Sequence, residues 1–435
     1  LIRVQQRQGQ TSHAARSAER ALALARAHDW PQGVARVLTL QGLGQLHQGR
    51  FNGARICLYE ARSVALEHGL RYDLAAVLRG LRTILAYTNA LNEALALAQE
   101  ELSLWRDLGL LRWEAVTLEG LALIQDSLGR SAESLRTLAQ AQELSQRLGE
   151  PVRIAINQYN LAHGMLYHDD GLASQAVALA QEALEIFRAH QQPGWIATTL
   201  TILGYALWVM GRHADAWGYF EEALALSEQL GELLFVPEVL AYQGLVQLGL
   251  DQPEAALALT RQAVMAMAQG DVCAEVVPEI CYAHALALVA NGREAEARRY
   301  FVQAYEKLLD GAAHFEDDAA RQACFHRNPT LRRLMAELRA RDIAPSPDVG
   351  VCYVRLPAVH GGDPLRVQWT VDAGPADAAL KRAQGAIALR RARLARLLEE
   401  ARVQGATPSS ASLARVLDVS LRTIQRDLAA LRDPV

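Results

Sequence analysis

The chemistry most legible in this sequence lies near its end, in the run Ser420, Leu421, Arg422, Thr423, Ile424, Gln425, Arg426. Leu413, Ala414, Leu417, Val419, Ile424, Leu428 and Leu431 recur at spacings that let two short helices pack across a tight turn. Ser420 suits the N-cap of the second helix, and Asp418 takes the turn position, which Asp tolerates better than most residues. The outward side chains at the start of that helix are then Leu421, Arg422, Thr423, Gln425 and Arg426. These types read base edges and grip phosphates from a major-groove helix, so the expected partner is DNA. Other chemistry-bearing groups do not combine. His163, His168 and Asp169, and separately Cys281 with His284, lack a second pair at metal-ligand spacing, and the acidic run at Glu316 reads as solvated surface. With no nucleophile and base pair to propose, the expectation is a protein that is not an enzyme and uses neither metal nor cofactor.

The same stretch resembles the helix-turn-helix of DeoR-type bacterial regulators. Their pattern VSxRTIxRDLxxL is matched at Val419, Ser420, Arg422, Thr423, Ile424, Arg426, Asp427, Leu428 and Leu431. The resemblance implies DNA binding at Ser420, Leu421, Arg422, Thr423, Gln425 and Arg426. Those families continue into a β-hairpin wing, whereas this sequence ends at Val435, so the wing is either lacking or supplied by a hairpin upstream. From Leu380 to Val435 there are 11 Lys or Arg against 5 Asp or Glu, and the remainder carries 33 against 43. A basic module on an acidic body favours phosphate contact at one end only.

The elements that must carry this module repeat. In "LGYALWVMGRHADAWGYFEEALAL" (203–226) a small residue is followed seven residues later by a Gly-Arg turn, then an alanine, an aromatic residue and a second alanine. The first alanine slot falls at Ala14, Ala54, Ala94, Ser134, Ala176, Ala216, Ala256 and Ala297, and the second at Ala21, Ala61, Glu101, Ala141, Ala183, Ala223, Ala263 and Ala304. Eight units of about 40 residues are therefore expected, each a pair of antiparallel helices that approach closely at the small side chains. Gly49, Gly129, Gly211 and Gly292 fall at the turn within the pair, where a left-handed residue ends the first helix. The register sets the first unit's small slot at Ile2, so only the last turn or two of its leading helix is expected. The chain thus reads as the C-terminal part of a longer polypeptide, or one whose start codon lies upstream.

This pattern resembles the tetratricopeptide repeat, matched in register at Gly204, Gly211, Ala216, Phe220 and Ala223. Its period exceeds the roughly 34 residues of the standard repeat, as in the repeat domains of ATP-dependent transcription activators of the MalT type. No G-x-x-x-x-G-K-[ST] occurs, so an ATPase domain of that kind is not in this chain. The repeat's inner-face slots imply a groove in which Thr198, Thr201, Tyr205 and Trp208 lie beside Gln158 and His168 of the preceding unit, and beside Glu238 and Glu279 of the following ones. Aromatic surface with polar groups suits a peptide or small ligand.

Composition agrees with an all-α protein, a tetratricopeptide-like superhelical solenoid followed by a small helix-turn-helix domain and a short β-hairpin. Apolar residues make up 51% of the chain and aromatic ones 6%, with Ala and Leu dominant. No apolar run is long enough for a membrane span or signal peptide, and the five cysteines show no CxxC spacing, so a soluble cytoplasmic protein with reduced thiols is expected. Arginine in place of lysine suggests a GC-rich bacterial genome. The domain plan is a solenoid at 1–343, ending in capping helices within 319–342, and a linker at 344–348. A C-terminal domain at 349–435 follows, with a hairpin of GVCYVRLP and LRVQWTVD, a basic helix from Pro375 to Gln404 kinked at Gly385, and the helix-turn-helix at 409–432. Two functions fit: a transcription regulator whose solenoid senses a ligand or partner protein, or an interaction scaffold whose terminal domain contacts protein. Ala383, Ile387, Leu394, Leu397 and Leu398 form an apolar stripe on the basic helix, a candidate seam for a homodimer.

Overall fold

A computed structural model describes residues 10–432, together with Ile2 and Gln5, apart from 169–171, 270–271, 313–328, 344–349, 360, 362–363 and 418. The expected linker, the turn residue Asp418, the acidic run at Glu316 and the first part of the capping segment lie outside the described residues. The chain divides into two compact units, Leu1–Glu337 and Leu338–Val435.

The first unit is a run of helices of nearly constant length. It begins with α1 (Thr11–Ala27), α2 (Pro31–His47), α3 (Phe51–Glu67), α4 (Arg71–Tyr87) and α5 (Leu91–Asp107). It continues with α6 (Leu111–Ser127), α7 (Ser131–Leu148), α8 (Pro151–His168), α9 (Ala173–Ala189) and α10 (Pro193–Val209). Then come α11 (His213–Leu230), α12 (Val236–Gly249), α13 (Pro253–Gln269), α14 (Val277–Ala290), α15 (Glu294–Ala312) and α16 (Pro329–Ala340). A 17-residue helix such as α3 and a three-residue turn together make half of the 40-residue period. The turns are closed by their own backbone. Gly49, Gly129, Gly211 and Gly292 take φ of 64, 74, 76 and 70°, and the amides of Arg50, Arg212 and Arg293 reach back to the carbonyls of Gln45, Leu207 and Leu288 at 2.9, 2.8 and 2.9 Å. This bond pattern caps the preceding helix without a side chain. Asp29, Asn89 and Asp251 take the same left-handed conformation in other turns, which their short polar side chains tolerate.

Small residues sit where helices cross. The first alanine slots are buried at Ala54, Ala94, Ala176, Ala216, Ala256 and Ala297, each 0% exposed. Gly42, Gly204 and Gly244 face them from the partner helix, and an added Cβ would stand 2.7 Å from Leu58, 2.8 Å from Phe220 and 2.3 Å from Thr260 respectively. Gly204→Val should therefore overpack the α10–α11 contact and destabilise the chain by about 1–3 kcal/mol, read as a lower urea midpoint.

The longer connections, at 231–235 and in the described residues 272–276, turn inward. Leu234 and Cys273 pack into a cluster with Leu38, Val77, Leu81 and Ile84, Phe235 meets the Tyr87 ring edge-on at 6.1 Å, and the Ala274 amide donates to the Tyr87 carbonyl at 2.8 Å. Residues nearly 190 positions apart thus close the superhelix on itself.

In the second unit, β1 (Gly350–Leu356) and β2 (Leu365–Asp372) pair antiparallel, with Val354 opposite Val367 and Leu356 opposite Leu365. Next come α17 (Pro375–Val403), α18 (Ser410–Val416) and α19 (Leu421–Arg432). Gly385 breaks α17 with φ 85° and ψ 178°, the expected kink. Leu356, Val367, Trp369, Leu394, Leu397, Ala401, Leu413 and Ile424 form one core, so the hairpin is part of the same fold as the two terminal helices. Backbone pairing extends this union: the Thr407 amide donates to the Pro357 carbonyl and the Val359 amide to the Gly405 carbonyl, both at 2.9 Å.

Candidate functional site

α18 and α19 are set by serines at both starts. Ser409 Oγ accepts from the Ser412 amide at 3.1 Å, and Ser420 Oγ from the Thr423 amide at 3.2 Å, satisfying donors that a helix leaves orphaned. Ile424 is fully buried and Leu428 half-buried, which turns Leu421, Arg422, Gln425 and Arg426 outward; Thr423 is half-buried.

Asp427 holds this helix at a fixed angle. Its carboxylate is 0% exposed and accepts from Arg390 Nε at 2.6 Å and Arg391 Nε at 3.3 Å, both on α17. Burial opposes ionisation, but the two arginine bonds outweigh it and keep the carboxyl below its ordinary range. Asp377 works likewise on the other half of the kinked helix, accepting from Arg393 Nε at 2.7 Å and from Arg396 at 2.9 Å. Neither clamp was evident in the sequence.

These clamps revise the charge argument. Arg390, Arg391, Arg393, Arg396 and Arg402 are paired with carboxylates inside the unit. Lys381, Arg382, Arg415, Arg422 and Arg426 are exposed and carry no ion pair among the described residues. Among the described side chains of this unit, the free positive charge is thus concentrated on the two terminal helices and the outer end of α17. The apolar stripe on α17 is also divided: Leu394 and Leu397 are core, while Ala383 and Ile387 remain on the surface.

In the solenoid, the expected groove is partly filled by the chain itself. Tyr205 OH and Thr330 Oγ1 lie 3.1 Å apart, and the Arg333 guanidinium sits 4.4 Å over the Trp208 ring, so α16 covers both aromatic residues. They do not face an open groove, because Leu331, Leu334, Met335 and Leu338 of α16 are buried. Thr198 and Thr201 return their hydroxyls to the carbonyls of Gly194 and Ala197, at 3.0 and 3.1 Å. Gln158 donates to Glu182 at 2.9 Å. The His168 side chain lies outside the described residues. Glu238 and Glu279 do come together: Tyr242 OH bonds Glu279, and burial, reinforced by the Glu279 charge, pushes the Glu238 carboxyl up to about 8.

An open cavity of about 350 Å3 lies elsewhere along the inner surface, walled by Tyr87, Tyr159, Asn160 and Glu275 among others, with Glu279 alone shared with the expected groove. A carboxyl that is raised in the folded chain favours folding while protonated. Stability should therefore fall as pH rises from about 4.5 through 8, and Glu238→Gln should flatten its share of that fall in a series of melting temperatures.

No family model matches the chain. Over 223 residues it is 26% identical to the regulatory protein AfsR of Streptomyces griseus, a match covering 51% of this chain and 22% of that protein, so the chain spans about a fifth of that relative. Among solved structures it is similar to a Rap protein complexed with competence and sporulation factor, with a TM-score of 0.52 and 14% identity, covering 79% of this chain and 97% of that one. Another neighbour is a signal transduction ATPase with numerous domains and a tetratricopeptide repeat sensor from Pyrococcus horikoshii. Its TM-score is 0.40 at 13% identity, covering 70% of this chain and 47% of that one. Among the described residues no helix is long and apolar enough to cross a membrane. The first unit is thus an all-α superhelical repeat with the fold of the Rap solenoid.

Proposed function

We propose that this chain is a DNA-binding transcription regulator whose solenoid senses a ligand or partner protein. The observation that carries it is the sorting of charge in the second unit. Arginines facing inward are neutralised by Asp377 and Asp427, and those left exposed include Arg415, Arg422 and Arg426 on α18 and α19. A structural cap would not need unpaired cations on the outward face of its last helix. The likeness to a regulatory protein over half of the chain supports the reading. So does the fold shared with the Rap protein, whose bound factor illustrates that such a solenoid can hold a partner.

In this reading the hairpin β1–β2, joined to the segment between α17 and α18 and sharing a core with α18 and α19, serves as a wing beside the helix-turn-helix. The chain has no catalytic role, works in the cytoplasm and pairs as a homodimer on two half-sites, since one such helix contacts about one major-groove face. Titrating the full chain with genomic fragments at rising salt tests the proposal: affinity should drop steeply and linearly on logarithmic axes. Equal, weak retention of all fragments at low salt alone would count against it.

A further inference from the structure

We infer that the projecting turn of α17 around Gly385 is a second DNA contact, in which Lys381 and Arg382 hold backbone phosphates beside the stretch that α19 reads. The inference rests on the DNA-binding role proposed above and extends it to a surface outside the helix-turn-helix.

The charge is set by the sequence. Between Asp377 and Glu399 there is no Asp or Glu, while Lys381, Arg382, Arg390, Arg391, Arg393 and Arg396 supply cations. Those that follow the kink are answered by carboxylates, Arg390 and Arg391 by Asp427, Arg393 and Arg396 by Asp377. The two that precede it, Lys381 and Arg382, have no carboxylate partner among the described residues. Adjacent like charges repel each other, and a polyanion relieves that repulsion as it binds.

The shape is set by the kink. Gly385 turns the chain with φ 85° and ψ 178°, and Asp377, 3% exposed, holds the bend from inside by tying the first half of α17 to Arg393 and Arg396 of the second. Outside the bend, every residue from Lys381 to Ile387 is exposed. Ala383 and Ala386 are short, so a nucleic-acid strand can approach the turn closely. Its placement beside α19 is fixed as well, because Arg390 and Arg391, which follow the kink directly, are the residues that hold Asp427.

Binding of the full chain to a mixed-sequence duplex of about 30 base pairs, roughly three helical turns, measured from low to high salt, tests this contact. Each phosphate neutralised contributes about −0.9 to the slope of log affinity against log salt. Lys381→Ala with Arg382→Ala should therefore make the slope shallower by about 2 and weaken binding at low salt by roughly tenfold or more. Lys381→Arg with Arg382→Lys keeps both charges and should bind like the parent. Since phosphate contacts carry no sequence information, the double alanine variant should enrich the same sequence as the parent from a genomic library. An unchanged slope, an equal loss in the charge-keeping variant, or a changed sequence preference overturns the inference and leaves the reading of α19 standing. A parent chain without salt-dependent binding defeats the regulator reading and this inference with it.

Discussion

Glu101→Ala should destabilise the solenoid by about 3–5 kcal/mol, the largest effect expected of a single substitution in this unit. Glu101 stands in an alanine slot yet is 0% exposed, and Arg82 occupies the small-residue slot that is Gly42, Gly204 or Gly244 in other units. The carboxylate accepts from Arg82 Nε at 2.9 Å, Trp105 Nε1 at 3.2 Å and Thr117 Oγ1 at 2.8 Å. Such a pair is tolerated inside only because its bonds are nearly complete. Without Glu101, the Arg82 guanidinium remains against Gly120, where even a Cβ would stand 1.9 Å from it, and loses the carboxylate to which it is bonded. Arg82→Ala combined with Glu101→Ala restores the small residues of the repeat and should recover much of the loss. Urea denaturation of the two single variants and the double measures the coupling. A single-variant cost below about 1 kcal/mol would mean that the charge escapes to water.

The repeat was legible because its spacing is physical. Helix length, turn length and the closest backbone approach each set one slot, and Ala216, Phe220 and Ala223 occupy theirs fully buried. Closure of the superhelix was not legible. It depends on residues 231–235 and 272–276 meeting α2 and α4, and no local pattern reports a contact between Ala274 and Tyr87. Nor does periodicity tell a polar pair such as Arg82 and Glu101 from two apolar residues that fill the same volume.

Replacing both Arg422 and Arg426 by alanine should cost about 1–3 kcal/mol each in specific DNA binding. Both are exposed, neither is tied to a carboxylate among the described residues, and they lie one turn apart on the outward face of α19. Together the loss amounts to roughly 30- to 20,000-fold in affinity, with helicity unchanged because neither supports the core. Arg390→Ala should also weaken binding, by a different route: it removes the 2.6 Å contact that orients α19 through Asp427, and so lowers stability as well. Arg402, paired with Glu399 three residues away on exposed surface, serves as the control that changes little. Binding isotherms beside melting curves separate loss of contact from loss of orientation.

The candidate DNA surface could be read from sequence since it is local. A serine cap, buried Ile424 and outward Arg422 and Arg426 all fall within seven residues. The net charge of the segment overstated the case, because composition does not reveal which arginines answer a buried aspartate. The groove was the least legible part. Its aromatic residues, Tyr205 and Trp208, are covered by Thr330 and Arg333, more than a hundred residues further on, and that return of α16 has no signature in the repeat.

The central claim is that α19 reads DNA, and the most direct test is selection of bound fragments from a genomic library by the full chain, followed by footprinting. The account predicts enrichment of a shared sequence, protected as two half-sites about one helical turn apart, and loss of that enrichment in the Arg422→Ala, Arg426→Ala variant. Recovery of unrelated fragments, or the same enrichment with both arginines gone, would contradict it.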